Sequence, residues 1–441
     1  MNKLRLPLEG IRIASIEVVY AGPFCTQMLA NMGAEVICVE TINFRPPASR
    51  PGTVHGDTVA NPNLLRTFHD KDITTEGIWN RSAAYASKNF NKLSCTMDLT
   101  RPEGKDVFRR LIEKCDVFFE NNAVRTIEKL GLTYDVLSAW NPRLVYVTAP
   151  GFAVEGPYKY YIGYGTNIEA LIGHAWLRGY PDEDHPTHLY MDVYQMDASG
   201  GMAAASAILM GLWHRAKTDK GMLIDSGSAN TVIPQFAEAI MDYTMNKRVR
   251  RTQGNRDLWA APCGVYPCRG AADRWVCITC YNDKQWRGFC EAIANPDWTK
   301  QEMFATHESR YQHQDELDKY IKAWTSQHDD YEVMFILQKY GVPSMPVLNE
   351  RDTLRDPQVI ARGFYERVDG TKYNCGVHMF PGMMWKYSKT PMSIKIPPCM
   401  LGEHNDYVFK EVIGMTDEEI KRLEEQDYII GGTAYTETAL G

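Results

Sequence analysis

Residues 10–40 read GIRIASIEVVYAGPFCTQMLANMGAEVICVE, and this stretch decides the fold. IRIASIEV is apolar and rich in β-branched residues, the composition of a buried strand. A tight turn at Ala21-Gly22-Pro23 follows, and Phe24 to Met32 reads as a helix with apolar contacts at Phe24, Met28 and Ala30 to Met32. Gly33 is placed to end that helix, and AEVICVE is a second buried strand. Strand, helix and strand in this order predict a βαβ unit, a parallel sheet and a right-handed crossover.

The same alternation continues outward. Residues 42–90 hold many Pro, Asn, Thr and charged residues, and are expected to run as a long excursion over the surface. Order returns at NKLSCTMDL, and Pro102 to Lys114 is an amphipathic helix with proline near its start. DVFFEN is the next strand, Ile127 to Trp140 reads as one helix, and RLVYVTAPGF is a strand ending at a glycine loop. The first 150 residues therefore read as a Rossmann-like, doubly wound α/β sheet. Helices are expected over 166–178 and 195–216. From about 225 the pattern changes: GVYPCRGAADRWVCITC reads as an antiparallel hairpin, with helices over Asp283 to Ile293 and Tyr311 to Ser326. The expected organisation is a large α/β domain over 1–222, a smaller α+β domain over 223–340 and a return segment over 341–441 that completes the large domain.

A chain of 441 residues, 44% hydrophobic and 23% charged, has ample material for a buried core. A formal charge of −7 gives no overall pull toward nucleic acid or an anionic membrane. The start, MNKLRLPLEGIRIASI, lacks the apolar stretch of a signal peptide, and the longest apolar run, Met202 to Trp213, is too short to span a bilayer. Eleven dispersed cysteines, an odd count, point to reduced thiols and a cytoplasmic location.

Several chemistries are excluded by missing motifs. The first βα turn lacks GxGxxG, and neither GxxxxGK[ST] nor GxSxG occurs. Cys263, Cys268, Cys277 and Cys280 resemble a zinc set, but Arg274 to Cys280 reads as a strand, in which residues three apart point to opposite faces. His174, His185 and His188 with Asp182, Glu183 and Asp184 are better read as a solvated loop, so no metal site is expected. Asp197 is the most informative single residue. It precedes Ala198-Ser199-Gly200-Gly201 and a helix rich in alanine. Small residues let a ligand or a second backbone come close, and amide groups at a helix start support a carboxylate's charge. By composition alone the preferred reading of Asp197 is an N-cap or first-turn acid of that helix.

LEGIRIASIEVVYAGPFCTQMLANMGAEVICVE, NKLSCTMDLTRPEGKDV, DVFFEN, NPRLVYVTAPGFAVEGPY, MDASGGMAAASAILMGLWHRAKTDKG, GVPSMPVLNERDTLRDPQVIARGF and LGEHND, in this order from residue 8 to about 406, resemble the family III CoA-transferases. That group includes formyl-CoA and carnitine CoA-transferases and the α-methylacyl-CoA racemases. The resemblance implies that Asp197, ahead of His214, Arg215, Thr218 and Gly221, is a covalent nucleophile; Asp192 is the local competitor, with the wrong spacing to the glycines. Its carboxylate would attack an acyl-CoA thioester to give a mixed anhydride and CoA thiolate. The thiolate would return to form an aspartyl-CoA thioester, and an acceptor carboxylic acid would enter through a second anhydride. Amides near Gly200 and Gly201 would support the oxyanion. The resemblance implies CoA contacts at Tyr20, Ala21, Met97, Asp98, Thr100, Asn121, Asn122, Ala123 and Lys129, with Arg125 as a second basic candidate. Substrate contacts are expected at Tyr164, Asn255 and Arg256, the last holding a second carboxylate, with Tyr158, Tyr160, Tyr161, Trp176 and Trp259 nearby. Such a pocket favours a bulky or dicarboxylic acid over formate. No tightly bound cofactor is implied; CoA and acyl-CoA are substrates. An interlocked dimer is implied, as a homodimer or with a related subunit.

The chain departs from the family pattern in places. ENNAVR replaces EN-F-x-PG, Thr41 and Leu93 stand where basic residues are usual, and Met222 replaces a glutamine. Arg45 or Arg50 is expected to supply phosphate contacts instead. In the racemase branch a histidine pairs with the aspartate; here Tyr164 holds that place and His174 lies ten residues on. A tyrosine, with a pKa of about 10, is a poor base near neutral pH. Transfer is therefore preferred to racemisation, and an intact Asp197 argues against a non-catalytic CoA-binding protein.

Overall fold

The computed structural model describes residues 5–40, 50, 82–181, 195–270, 273–373 and 376–426. They form two compact units. The first comprises 1–175, 189–247 and 364–441, and the second comprises 176–188 and 248–363.

The first unit is built on a six-stranded parallel sheet. In chain order its elements are β1 (Arg12–Ile16), α1 (Ala21–Asn31), β2 (Glu35–Glu40), α2 (Ala83–Ala86), β3 (Leu93–Thr96), α3 (Pro102–Ile112), β4 (Val117–Glu120), α4 (Val124–Leu130), α5 (Tyr134–Trp140), β5 (Val145–Thr148), α6 (Gly165–Leu171), α7 (Gln195–Thr218), β6 (Met222–Asp225), α8 (Ser228–Val232) and α9 (Ala237–Asn246). The strand order is β3-β2-β1-β4-β5-β6, and every pairing is parallel. This is the doubly wound arrangement expected from the opening βαβ unit, and it reverses direction between β1 and β4. Strands β1 to β5 are buried on both faces. One face packs Ala14, Ile37, Phe108 and Phe118 under α3, and the other packs Ile13, Leu29, Val36, Phe119 and Ile208 under α1 and α7.

Four local expectations are revised. α1 begins at Ala21 rather than Phe24. The single helix expected over 127–140 is two, because Gly131 adopts φ 69° and closes α4 before Thr133 opens α5. The segment expected as a surface excursion enters the core where it is described: Arg50, Tyr85 and Phe90 are buried. The helix expected over 166–178 stops at Leu171, with a 3-10 turn over Ala175–Leu177.

The second unit carries an antiparallel sheet of β7 (Cys263–Pro267), β8 (Trp275–Thr279) and β9 (Ser344–Val347), in that order. The expected hairpin is β7–β8. Helices α10 (Asp283–Ala292), α11 (His307–Gln312), α12 (Gln314–Thr325) and α13 (Asp330–Lys339) precede β9, and α14 (Glu350–Thr353) and α15 (Pro357–Arg362) follow it. Tyr266, Val276, Phe289, Leu317 and Leu337 form its core. The chain then returns to the first unit as an antiparallel pair, β10 (Tyr365–Asp369) and β11 (Val377–Pro381), and α16 (Asp417–Glu425), whose Ile420 and Leu423 join the core beside Phe108. The units thus divide near 247 and 363, not at 222 and 340. β6 pairs with β5 and holds the chain in the large sheet past residue 222, and β9 pairs with β8 and keeps residue 344 onward in the small one.

Candidate active site

α7 starts with Asp197 in its first turn and buries Gly200, Gly201, Ala204, Ala205 and Ile208, a stripe at helical spacing. The stripe lies against α1. The small residues are required by closeness: a Cβ on Gly201 would stand 2.7 Å from the Ala21 carbonyl oxygen and 3.3 Å from Cys25 N. The start of α7 is thereby pressed onto the start of α1, at the carboxyl end of β1. α1 has no side-chain cap of its own on its Tyr20 position. The Ala21 N–H donates instead to the Asp197 carboxylate. A carboxylate at a helix start is a favourable pairing of charge with free amides.

Three further groups surround this carboxylate. Gly165, the first residue of α6, lies against it so tightly that a Cβ there would sit 2.5 Å from Oδ2. Glu169 on the same helix is buried; its Oε1 accepts the Met196 N–H at 3.0 Å, and its Oε2 lies 3.2 Å from His174 Nδ1. The His174 ring stacks on Phe236 with centroids 5.8 Å apart. Lys88, just beyond α2, holds its ammonium 4.1 Å from the centre of the Tyr20 ring. Burial pushes the Asp197 carboxyl up to about 6 and the Glu169 charge adds to the rise, while the Ala21 amide and Lys88 oppose it. Burial also pulls the Lys88 ammonium down to about 8, opposed by Asp197.

Ala21, Gly201 and Asp197 lie together, with Tyr20 leading into Ala21. Gly200 faces Ser228 instead, and the Gly200 and Gly201 amides lie past the first turn of α7, where they belong to the helix rather than to an oxyanion. Tyr164 immediately precedes Gly165; it is 58% exposed, with its N–H donating to Asn167 Oδ1 at 3.0 Å. Lys88, Glu169 and Gly165 were missed. Lys88 lies in a stretch without periodicity, and Glu169 looks like any helical acid. The one available signal for Glu169 was its spacing of five to His174.

Other expected contacts lie at the carboxyl ends of β3 and β4, the edge where doubly wound sheets take ligands. Met97 and Asp98 are buried after β3. Asp98 Oδ1 accepts the Thr100 N–H at 2.9 Å, so both residues shape the turn into α3. Asn121 and Asn122 tie the turn after β4 to the turn after β1: Val18 N–H donates to Asn121 Oδ1 at 2.8 Å, and Asn122 Nδ2 donates to Ile16 O at 2.8 Å. Ala123 precedes α4, and Lys129 and Arg125 project from that helix, exposed. The Arg125 guanidinium lies 4.7 Å from the centre of the Tyr160 ring. The expectation that Arg50 takes a phosphate is corrected. Its buried guanidinium is paired with Glu40, Nε to Oε1 at 2.6 Å, and also bonds Cys399 O at 3.0 Å. Arg45, Asp192 and the acid–histidine residues from 182 to 188 lie outside the described residues.

In the second unit, Asn255 and Arg256 line a groove of about 580 Å³ with Tyr180, Tyr266 and Trp275. Arg256 is committed there: its Nη2 lies 2.9 Å from Asp315 Oδ1 and 2.5 Å from Asp318 Oδ2. The expectation that it holds a substrate carboxylate meets a guanidinium already matched by two acids. Asn255 Nδ2 lies 3.5 Å from the Tyr180 hydroxyl. Cys263 and Cys277 are partly exposed, and Cys268 and Cys280 are buried. Among the described residues no group of three or more His, Cys, Asp or Glu is placed to hold a metal, and no helix is long and apolar enough to cross a membrane.

The model of CoA-transferase family III matches residues 8–405. Succinyl-CoA–D-citramalate CoA-transferase of Chloroflexus aurantiacus is 30% identical over 420 residues, covering 95% of this chain and 97% of that relative. The human succinyl-CoA:glutarate CoA-transferase is 28% identical over 423 residues, covering 96% of this chain and 90% of the relative. A crystal structure of a CAIB/BAIF family protein from Brucella suis superposes with a TM-score of 0.77 at 28% identity, over 93% of this chain and all of the other. With a family match across nearly the whole chain and a carboxylate set at the reversal point of its parallel sheet, the protein belongs to CoA-transferase family III and is a CoA-transferase.

Proposed function

We propose that the enzyme moves CoA from a dicarboxylic acyl-CoA such as succinyl-CoA to a second dicarboxylic acid, through acyl anhydride and CoA thioester intermediates on Asp197. One observation carries this reading: Asp197 is partly buried, held by the Ala21 amide against Gly165, and has its carboxyl pushed up to about 6. A carboxylate with a raised pKa is a better nucleophile, and is still ionised at neutral pH. Attack of its oxygen on the thioester carbonyl breaks the carbon–sulfur bond and releases CoA thiolate. The thiolate attacks the aspartyl carbonyl of the anhydride and frees the donor acid. The acceptor carboxylate then attacks the aspartyl thioester, again releasing thiolate, which takes the acyl group of the acceptor and restores Asp197. The energy of the thioester is kept throughout, so long as water is excluded. The dicarboxylic class is supported by relatives named for succinyl-CoA with citramalate, malate and glutarate.

The test is to incubate the enzyme with succinyl-CoA and hydroxylamine and to map the modified residue by mass spectrometry. A hydroxamate on Asp197 is expected. Exchange of the α-hydrogen with deuterated water, without a hydroxamate, would instead favour racemisation, and neither signal would favour a protein that only binds CoA. The rate of trapping should fall as pH drops through about 6, because protonation removes the attacking electron pair. Gly165→Ala should slow transfer by about a hundredfold while leaving the fold intact, because the new methyl displaces the carboxylate from its line of attack; steady-state kinetics and circular dichroism check both halves. We also read the chain as a dimer, with Met210 and Trp213 of α7, each 64% exposed, as the apolar surface a partner would cover.

A further inference from the structure

We propose that Lys88 is the substrate-binding cation of the transfer reaction, its ammonium taking the reacting carboxylate of the acceptor acid beside Asp197. The assignment rests on Asp197 being the nucleophile. The chemistry brings anions to one place: the Asp197 carboxylate, the departing CoA thiolate and the incoming acid, with Glu169 buried behind them. Like charges repel strongly where water is excluded, so an acceptor carboxylate needs a cation to approach. The charges acting on Asp197 are Glu169 and Lys88, one repelling and one attracting.

The geometry of Lys88 suits that task. Its Nζ donates to Ala84 O at 3.2 Å and to Ser87 Oγ at 2.9 Å. An ammonium has three N–H bonds, so one donor remains for a ligand. The ammonium sits over the ring of Tyr20, the residue that precedes the Ala21 amide bonded to Asp197. That contact holds a long, flexible side chain over the residue that leads into the Ala21 amide. Nearby Lys92 does not compete for the role. It is fully buried and bonded to Glu17 at 2.7 Å, Pro23 O at 2.8 Å and Asn89 Oδ1 at 3.0 Å. Lys88 is partly exposed, and among the described residues it makes no ion pair of that kind. In the step it serves, an acceptor oxygen bonds to the aspartyl carbonyl carbon, the carbon–sulfur bond breaks, and CoA leaves as thiolate. Lys88 keeps its proton throughout and neutralises first the acceptor carboxylate and then the tetrahedral oxyanion that collapses to the anhydride and CoA thiolate.

Lys88→Met and Lys88→Arg should be assayed with succinyl-CoA as donor and glutarate as acceptor. Losing a charged hydrogen bond costs about tenfold to a hundredfold, so Lys88→Met should raise the KM for glutarate by about that factor. Hydroxylamine trapping on Asp197 from succinyl-CoA should change far less, and Lys88→Arg should restore most of the acceptor KM. In the wild type, kcat/KM for glutarate should fall above about pH 8, as the ammonium loses its proton, and Lys88→Arg should move that limb to higher pH. The groups acting on this ammonium are Asp197 from α7 and Lys92 from the approach to β3, with the Tyr20 ring beneath it. An unchanged glutarate KM in Lys88→Met, or an equal loss of trapping and transfer in both variants, overturns the assignment. A wild-type enzyme that carries no hydroxamate on Asp197 overturns the covalent reading, and this assignment with it.

Discussion

Asp197→Ala should lower CoA transfer between succinate and glutarate by on the order of ten-thousandfold or more, and abolish hydroxylamine trapping, if the covalent intermediates proposed above form on its carboxylate. The protein should nonetheless fold at least as well as the wild type. The sign follows from the raised pKa. A carboxyl ionising near 6 in the folded chain and near 4 in the unfolded one binds more protons when folded. Its contribution is therefore favourable at low pH and is lost as pH rises from about 4 to 6, leaving an ionised, half-buried group that costs stability at neutral pH. Removing it removes that cost. Asp197→Asn should show the same activity loss while still accepting the Ala21 N–H, with a Tm equal to or above that of the wild type. A variant that lost both activity and several degrees of Tm would point to a structural role for the carboxylate. Thermal denaturation followed at pH 5 and pH 8 separates the two outcomes.

Lys92→Met should have the largest effect on stability, a loss of about 3–5 kcal/mol, because it leaves a buried acid without its partner. Lys92 is fully buried, and Glu17 is nearly so. Glu17 also accepts the Thr26 hydroxyl at 2.6 Å and lies 3.3 Å from Cys38 Sγ, so its charge has nowhere wet to go. The same ammonium bonds Pro23 O in the first turn of α1. The pair thus fixes the turn that presents the Ala21 amide to Asp197, and the stability loss should be accompanied by slower transfer at temperatures where the variant is still folded. A double variant, Lys92→Met with Glu17→Gln, should recover much of the lost stability, since two neutral groups of similar shape replace the ion pair. Chemical denaturation of the four proteins of this cycle measures the coupling.

The βαβ opening, the strands at DVFFEN and RLVYVT, the hairpin around Cys263 to Cys280 and the long helix carrying Asp197 were legible because each has a local period and a clear stop. Features set by distant partners were not. Ile127 and Trp140 belong to an apparently continuous helix until Gly131 takes a positive φ. β6 is short, with alternating partial burial, and it declares itself only by pairing with β5. Arg256 looked available to a substrate because Asp315 and Asp318 lie on a helix far along the chain. Arg50 looked like a surface cation, but its carboxylate is at the end of β2. In the site, the resemblance singled out Asp197, whereas Lys88 and Glu169 are ordinary residues until the fold sets them around it. Local periodicity encodes elements; burial of a charge beside another charge is a property of tertiary contact.

Ala21 follows the first strand of the large sheet, whereas Asp197 follows five of its six parallel strands in the chain. The groups that act on its pKa, Ala21, Lys88 and Glu169, all precede it in the chain, and its raised pKa comes from tertiary burial and not from its local sequence. On the mechanism proposed above, a reactive acid therefore exists only once the tertiary contacts around it do.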